Sequence, residues 1–209
     1  MGVRRTSGEE FSFSDPINSF VDVVRRVILQ PAGFFAALPR RGSLFNPLVF
    51  ALICIEISAI LGGLMVLVDA QENPGFNPHP QNVGLPSLFA PGSPVMSIVL
   101  APVWGAIGIF VAAAIQQLLV RLVVGTSNSG YGATFRVASY TQVTGLVNWI
   151  PIVGPLLALY GVYLAVVGIR EVHETTTGKA ALVILIPFVV ALLVALLVAG
   201  VVFFSLYQG

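Results

Sequence analysis

The chain has 209 residues, of which 56% are hydrophobic and only 9% are charged, and its formal net charge is +1. An ordinary soluble domain is roughly 25% charged, and a water-soluble protein of this size cannot bury so much apolar surface. The composition therefore indicates a polytopic membrane protein. It excludes a soluble enzyme, a disordered hub and a nucleic-acid-binding protein, which needs a basic surface. A single cysteine excludes a disulfide framework.

The N-terminal region is polar and then amphipathic. Residues 1–14 are predicted to form a disordered tail, and residues 15–42 are predicted to form cytoplasmic interfacial helices. Asp15 and Pro16 are typical of a helix start. Apolar residues then fall on one helical face, as in a helix that lies on the inner membrane surface. Two interpretations are kept for this region: it fixes the depth of the first span, or it docks a partner protein. The residues assigned to this membrane-surface or docking role are Phe20, Val24, Arg25, Arg26, Phe34 and Phe35.

Five stretches are long and apolar enough to cross a bilayer, which takes about 20 residues. They cover residues 47–68, 95–124, 133–150, 152–169 and 180–207. The third is the least apolar because it contains Arg136, Gln142 and Asn148. Only Pro151 separates the third stretch from the fourth, which predicts a tight helical hairpin. The expected fold class is an all-α membrane protein, with a five-helix transmembrane bundle over residues 43–209.

The basic residues predict the orientation, because cytoplasmic loops are enriched in arginine and lysine. With a cytoplasmic N-terminus and five spans, all ten basic residues fall on the cytoplasmic side. The extracytoplasmic loop, residues 69–93, then contains no basic residue, and its only charged residues are the acidic Asp69 and Glu72. The first 45 residues are too polar for a signal peptide. The C-terminus is therefore expected outside a bacterial cytoplasmic (inner) membrane.

Small residues recur at helical spacing in three spans, and we call each such row of small residues a seam. Two of the three seams are assigned to helix packing or to contact with a partner. Small residues let helix backbones approach closely in lipid. Packing within the bundle and contact with another polypeptide are both compatible with this pattern. The third seam is Ala101, Gly105, Gly108 and Ala112. The residues of the two assigned seams are Gly154, Ala158, Gly161, Ala165 and Gly168 in the fourth span, and Ala191, Ala195 and Ala199 in the fifth.

Glu56 is the one acidic residue expected inside the hydrocarbon, where an isolated carboxylate is costly. Gln142 and Tyr160 lie at a similar depth, and Gln116 lies nearer the inner surface. These four residues form a predicted intramembrane polar layer. In the structural interpretation, neutral Glu56 is hydrogen-bonded to Gln142 or Tyr160. In the functional interpretation, it relays protons or contacts a polar substrate. The side chain of Arg136 is expected to extend out of the hydrocarbon to the cytoplasmic surface of the membrane.

The sequence contains no nucleophile elbow and no glycine-rich loop with the lysine of a phosphate cradle. Glu171, His173 and Glu174 are interpreted as part of a solvated inner loop. We therefore predict no enzyme, no catalytic residue, no cofactor and no metal site.

Several short motifs resemble the Yip1-domain family of integral membrane proteins. The resemblance covers the chain from about residue 31 to its end, and it implies five spans with a cytoplasmic N-terminus. Eukaryotic members of the family are linked to vesicle traffic and small GTPases, whereas this chain looks prokaryotic. The family has no established catalytic residues to carry over. The motifs are 31–38 (PAGFFAAL), 46–48 (NPL), 130–132 (GYG), 135–140 (FRVASY), 150–155 (IPIVGP), 168–173 (GIREVH) and 178–181 (GKAA).

The leading functional hypothesis is a non-enzymatic accessory or scaffolding subunit of a larger inner-membrane complex, such as a lipid-transport assembly. Its expected partners are membrane lipids and other integral membrane subunits, and not nucleic acid. The first alternative is a self-contained transporter or lipid-binding protein that uses Glu56. The second alternative is an organiser of membrane shape or trafficking, as the eukaryotic relatives imply.

Overall fold

A computed structural model of the chain describes residues 10–72 and 93–207. Over these ranges the backbone is helical, with turns and short connections and no strand. There is one 3₁₀ segment, Thr141–Val147. The α-helices are α1 (Pro16–Leu29), α2 (Pro31–Ala37), α3 (Phe45–Glu72), α4 (Pro94–Val123), α5 (Tyr131–Tyr140), α6 (Val153–Val172) and α7 (Thr177–Tyr207).

The first helix begins where local chemistry favours a start. The Asp15 carboxylate accepts hydrogen bonds from the backbone N–H of Asn18 at 3.4 Å and from its side-chain amide at 2.7 Å. Pro16 occupies the first turn, where no amide hydrogen is needed. The predicted helix therefore forms and runs to Leu29.

Within residues 10–72 and 93–207, four helices are long and apolar enough to cross a membrane by length and composition. They are residues 45–65 of α3, all of α4, all of α6, and residues 177–204 of α7. They correspond to four of the five predicted stretches. In the structure α3 continues to Glu72, so its last turn lies within the range of the predicted loop 69–93. Ser93, the last residue of the predicted loop, caps α4, because its hydroxyl oxygen accepts the N–H of Met96 at 3.2 Å. The rest of this predicted loop, residues 73–92, lies outside the described residues.

The third predicted stretch, residues 133–150, is not one continuous α-helix. It forms the ten-residue α5 and then the 3₁₀ segment. The Thr141 hydroxyl donates to the carbonyls of Val137 and Ala138, and the Thr144 hydroxyl donates to that of Thr141. Hydroxyls that bond to preceding carbonyls compete with the α-helical pattern and bend it. Two threonines one turn apart thus account for the tighter segment.

The long helices pack antiparallel at close range. A Cβ at Gly105 of α4 would lie 2.8 Å from Ile55 Cδ1 of α3, and one at Gly63 of α3 would lie 2.9 Å from Ile98 Cδ1 of α4. The start of α3 therefore lies beside the end of α4. We call this the basic end of the bundle: α3, α5 and α7 begin there, and α4 and α6 end there.

Burial is concentrated at the basic end, where α1 and α2 join the long helices in one core. In α7, Ala180, Val183 and Ile184 are buried. The side chains of residues 188–204 are all exposed. The chain thus packs as a dense layer at one end and as apolar, outward-facing helices beyond it.

Candidate functional site

Polar side chains are buried at the basic end, as in the interior of a soluble protein. Uncompensated burial of such groups is costly, and all of them except Ser139, whose Oγ has no hydrogen-bond partner among the described residues, bond to other groups. They belong to α4, α5 and the end of α6. The buried polar residues among the described ones are Gln117, Thr134, Arg136, Ser139 and His173.

Arg136 is 1% exposed and does not extend outward as the sequence predicts. Its Nε donates to Glu10 Oε1 at 2.6 Å, Nη1 donates to the Gly132 carbonyl at 3.1 Å, and Nη2 donates to the Ser43 carbonyl at 3.0 Å. The guanidinium therefore ties α5 to the N-terminal segment and to the turn before α3. Burial raises the pKa of Glu10 above its ordinary value, while the bond to Arg136 and its charge lower it.

The N-terminal segment also inserts an aromatic ring beside this ion pair. Phe11 is 1% exposed, and its backbone N–H donates to the Tyr140 hydroxyl at 3.3 Å. Its ring centroid lies 6.2 Å from that of Phe50. Glu10 and Phe11, from the predicted disordered tail, are therefore packed, because both have partners far along the chain. Residues 1–9 lie outside the described residues.

His173 is buried at the end of α6 and is not part of a solvated loop. Its Nδ1 accepts the backbone N–H of Ser129 at 3.1 Å, so Nδ1 carries no proton. Its Nε2 lies 2.9 Å from Thr134 Oγ1. The hydrogen-bond network thus assigns the proton to Nε2, which donates to Thr134, and the imidazole is neutral.

From Thr134 the hydrogen-bond network continues to Gln117 of α4 and then to the loop before α5. The Thr134 hydroxyl donates to Gln117 Oε1 at 2.5 Å, and Gln117 Nε2 donates to Asn128 Oδ1 at 2.9 Å. Asn128 Nδ2 then donates to the Gly125 carbonyl at 2.7 Å. Because the Thr134 hydroxyl already donates to Gln117 and His173 Nε2 carries a proton, the imidazole cannot act as a base toward Thr134. The network instead fixes α4, α5 and α6 relative to one another.

Acidification is expected to destabilise the fold through His173. Burial, and to a smaller degree the positive charge of Arg40, lower the pKa of the imidazole from 6.5 to about 4. Between these values the unfolded chain binds a proton that the folded chain does not, so stability is full above pH 6.5 and falls as the pH drops toward 4. The thermal midpoint in detergent, followed by circular dichroism across this window, measures the slope.

His173→Gln is the control, because it removes the titrating ring and should flatten the slope. Glu10 titrates with the opposite sign, since its pKa is raised in the fold and it favours the folded state at lower pH. It is present in both proteins, so the difference between their slopes isolates His173. Identical slopes would contradict the assignment of a neutral imidazole.

The predicted bonds of the polar layer do not form. Tyr160 donates its hydroxyl to the Ile28 carbonyl at 2.6 Å, and Gln142 Nε2 donates to the Ala138 carbonyl at 3.4 Å. Glu56 Oε2 and Gln116 Oε1 are buried without a hydrogen-bond partner among the described residues. The structure therefore corrects the expected pairing of Glu56 with Gln142 or Tyr160, because both side chains bond to backbone carbonyls instead.

The small-residue seam of α6 faces the chain's own helices. A Cβ at Gly154 would lie 2.6 Å from the Asn148 carbonyl oxygen, and one at Gly161 would lie 2.8 Å from Thr144 Oγ1. Gly168 approaches Val137 of α5 in the same way. Ala165 is buried and Ala158 is exposed. Four of the five positions therefore serve internal packing.

The seam of α7 is different, since Ala191, Ala195 and Ala199 are all exposed. The seam of α4 is divided: Gly105 contacts α3, whereas a Cβ at Gly108 would meet no atom within 4 Å. Within the described part of the chain, nothing packs closely against the α7 seam or against the Gly108 part of the α4 seam.

The residues assigned to docking separate into two groups. Phe34 and Phe35 are buried in the core, and Phe20 packs against it with its ring centroid 5.2 Å from that of Phe50. This corrects their assignment to a surface, because α2 folds back onto α6. Val24 also packs against the core. Arg25 is exposed, and Arg26 pairs with Asp22 at 2.7 Å.

Sequence reasoning missed the buried network for a physical reason. Its members come from α4, the loop before α5, α5 and the end of α6, so no local spacing marks them. A weak signal was the polar run at residues 125–130 beside a short apolar helix. Within the described ranges, no group of three His, Cys, Asp or Glu side chains is arranged to hold a metal ion.

Comparison with known proteins gives one match. The sequence pattern of the Yip1 domain matches residues 25–199, most of the chain. No curated protein and no solved structure matches the chain.

Proposed function

Because the chain belongs to the Yip1-domain family of membrane proteins, we propose that it is a non-enzymatic accessory or scaffolding subunit of a larger inner-membrane complex. The observation that carries this proposal is the distal half of α7. From residue 188 to residue 202 its large apolar side chains are between 52% and 68% exposed. This surface surrounds the helix and includes the alanine seam, and such seams permit close helix–helix contact in lipid.

We propose five membrane passes, with the N-terminus in the cytoplasm and the C-terminus outside. The third pass is made by α5 and the 3₁₀ segment, which run from the basic end toward the start of α6. A Cβ at Gly62 of α3 would lie 3.5 Å from Trp149 Cβ, so the tip of this hairpin reaches that depth of α3. The positive-inside pattern supports the orientation.

A lipid-transport assembly is the host that we favour, in a bacterial cytoplasmic membrane. Three long helices, α3, α4 and α7, are about 42–47 Å long at 1.5 Å per residue, which spans the bilayer including its headgroups. Little of the described chain is therefore left to project into water. Such a subunit acts through helix contacts and lipid and not through a soluble domain.

Ala195→Leu tests the proposed interface on α7. The added bulk should clash with a partner helix and weaken its retention about tenfold, since overpacking costs about 1–3 kcal/mol. The chain's own fold should be unaffected, because Ala195 is exposed. The measurement is a pull-down of the C-terminally tagged full chain in mild detergent, with native mass and stoichiometry of the co-eluting subunits.

Gly200→Leu is the matched control. It also replaces a small residue of α7 by leucine, but it lies about 140° around the helix from Ala195, and a Cβ there would meet no atom within 4 Å. It should retain the partners. A lone monomer in several detergents would contradict the subunit proposal and favour the alternative, a transporter or lipid-binding protein in which Glu56 contacts substrate. The observation that favours this alternative is that Glu56 Oε2 is buried and has no hydrogen-bond partner among the described residues.

A further inference from the structure

The apolar stripe of α1 is wider than the core that covers it. Val23 and Val27 are fully buried, and Phe20 packs beside them. Ile17 is 76% exposed, Val21 is 58% exposed and Ile28 is 38% exposed. We call these last three residues the outer ridge. Half of the stripe thus holds α1 to the bundle, and the other half faces away from it.

The positions around α1 follow from its 100° step per residue. The outer ridge falls within about 40° of arc, next to the buried side of the helix. Arg25 and Asn18 lie on the far flank of the ridge, and Asp22 and Arg26 lie beyond them. A helix in a membrane interface shows this order, with an apolar face toward the acyl chains, cationic flanks and a polar face toward water.

The charges at the basic end select the surface that fits this ridge. Four basic side chains there have partners: Arg26 with Asp22, Arg40 with Glu174, Arg136 with Glu10, and Arg170 with Glu171. Four others make no ion pair within the described part of the chain, namely Arg25, Arg41, Arg121 and Lys179. Among the described acidic side chains of this end, only Asp15 has no ion pair, and it caps α1. The uncompensated charge is positive, which complements an anionic lipid surface.

The basic end also exposes an aromatic contact at the start of the first long helix. Phe13 stacks on Phe45 with ring centroids 5.6 Å apart, and both rings are at least half exposed. Aromatic side chains are favoured at the level of lipid headgroups. An open groove of about 260 Å³ lies on the polar side of α1, lined by Asp22, Arg25, Arg26, Leu29 and Gln30. Arg25 thus lies between the ridge and this groove.

We propose that α1 binds the anionic lipid leaflet through its outer ridge, with acyl chains against Ile17, Val21 and Ile28 and a lipid phosphate at Arg25. The basic end is then held at the headgroup level by lipid on one side of α1 and by the protein core on the other. This surface is separate from the α7 seam and does not depend on the proposed subunit contact.

Spin labels in the full chain test the proposal. Val21→Cys and Asn18→Cys are labelled with a nitroxide in nanodiscs that contain anionic lipid, and Cys54 stays in place because it is fully buried. Collisions with oxygen, which concentrates in acyl chains, are compared with collisions with a water-soluble nickel chelate. The label at residue 21 should favour oxygen, and the label at residue 18 should favour the chelate. Ile17→Cys repeats the test on the ridge should Val21→Cys fail to fold.

Three results would overturn the proposal. Equal chelate access at residues 21 and 18 would place the ridge in water. Low access to both reagents at residue 21 would mean that protein covers it, and spin–spin broadening there would identify a second copy. Arg25→Glu should shift the label at residue 21 toward the chelate, whereas Asn18→Gln should not. If Arg25→Glu produces no such shift, the proposed contact between Arg25 and a lipid phosphate is wrong.

Discussion

Arg136→Met is expected to destabilise the protein by about 3–5 kcal/mol, because it removes one partner of a buried ion pair. Methionine fills much of the space but donates no hydrogen bond. It leaves the carboxylate of Glu10 and the carbonyls of Gly132 and Ser43 without the donors that they now have. The thermal midpoint should fall by roughly 6–20 °C, at 2–4 °C per kcal/mol for a chain of this size.

Cys54 provides the measurement. It is the only cysteine and is fully buried, so a thiol-reactive fluorogenic dye reports unfolding in detergent. Glu10→Gln is the milder partner variant: glutamine can still accept the Nε hydrogen bond, and Glu10 is 18% exposed, so we expect a loss of about 1 kcal/mol. The double variant should cost less than the sum of the two single ones. An unchanged midpoint for Arg136→Met would contradict the contact.

This contact also shows where sequence reasoning stops. Composition and apolar run length predict α3, α4, α6 and α7, because crossing lipid requires long helices with internally bonded backbones. They cannot predict that Glu10 pairs with Arg136, since the two lie 126 positions apart. A charge in a weakly apolar stretch looks locally like an interfacial residue. Its burial depends on a segment that local pattern marks as a tail.

The end of α5 shows the same limit at shorter range. Hydropathy treats residues 133–150 as one apolar span, although Thr141 and Thr144 lie one turn apart and bond to preceding carbonyls. Those bonds are visible only once the backbone is placed. Hydropathy also predicts lipid or a docking surface for Phe34 and Phe35. An amphipathic segment is equally able to bury its apolar face in protein, as α2 does against α6.

In α6, four of the five small residues of the seam face the chain's own residues, but the sequence could not say which seam does so. Gly168 and Ala195 each belong to a seam of small residues at helical spacing. The difference is what lies opposite: Val137 and Phe35 face Gly168, whereas Ala195 is exposed. A larger side chain should therefore destabilise the fold at Gly168 and leave its stability unchanged at Ala195.

Gly168→Ala is expected to destabilise the fold by about 1–3 kcal/mol, even though alanine favours a helix over glycine by up to about 1 kcal/mol. The new Cβ would lie 2.6 Å from Val137 Cγ1, 3.1 Å from its Cγ2 and 3.3 Å from Phe35 Cε1. Val137 and Phe35 are both fully buried, and a valine is stiff about χ1 in a helix. Neither neighbour can move without displacing the core, which is close-packed. The thermal midpoint of the Cys54 dye reaction measures the loss.

Val137→Ala should rescue Gly168→Ala, because it removes the two methyl groups that the new Cβ would strike. Alone, Val137→Ala leaves a cavity and costs stability, so the double variant should be more stable than the sum of the single effects allows. Gly200→Ala is the matched control: its Cβ would meet no atom within 4 Å, and only the helix preference remains, so it should be neutral or stabilising. Equal midpoints for Gly168→Ala and Gly200→Ala would mean that α6 does not approach α5 this closely in the membrane. A rescued double variant would establish that the seam of α6 is internal, which leaves the seam of α7 and the open part of the α4 seam available to another polypeptide.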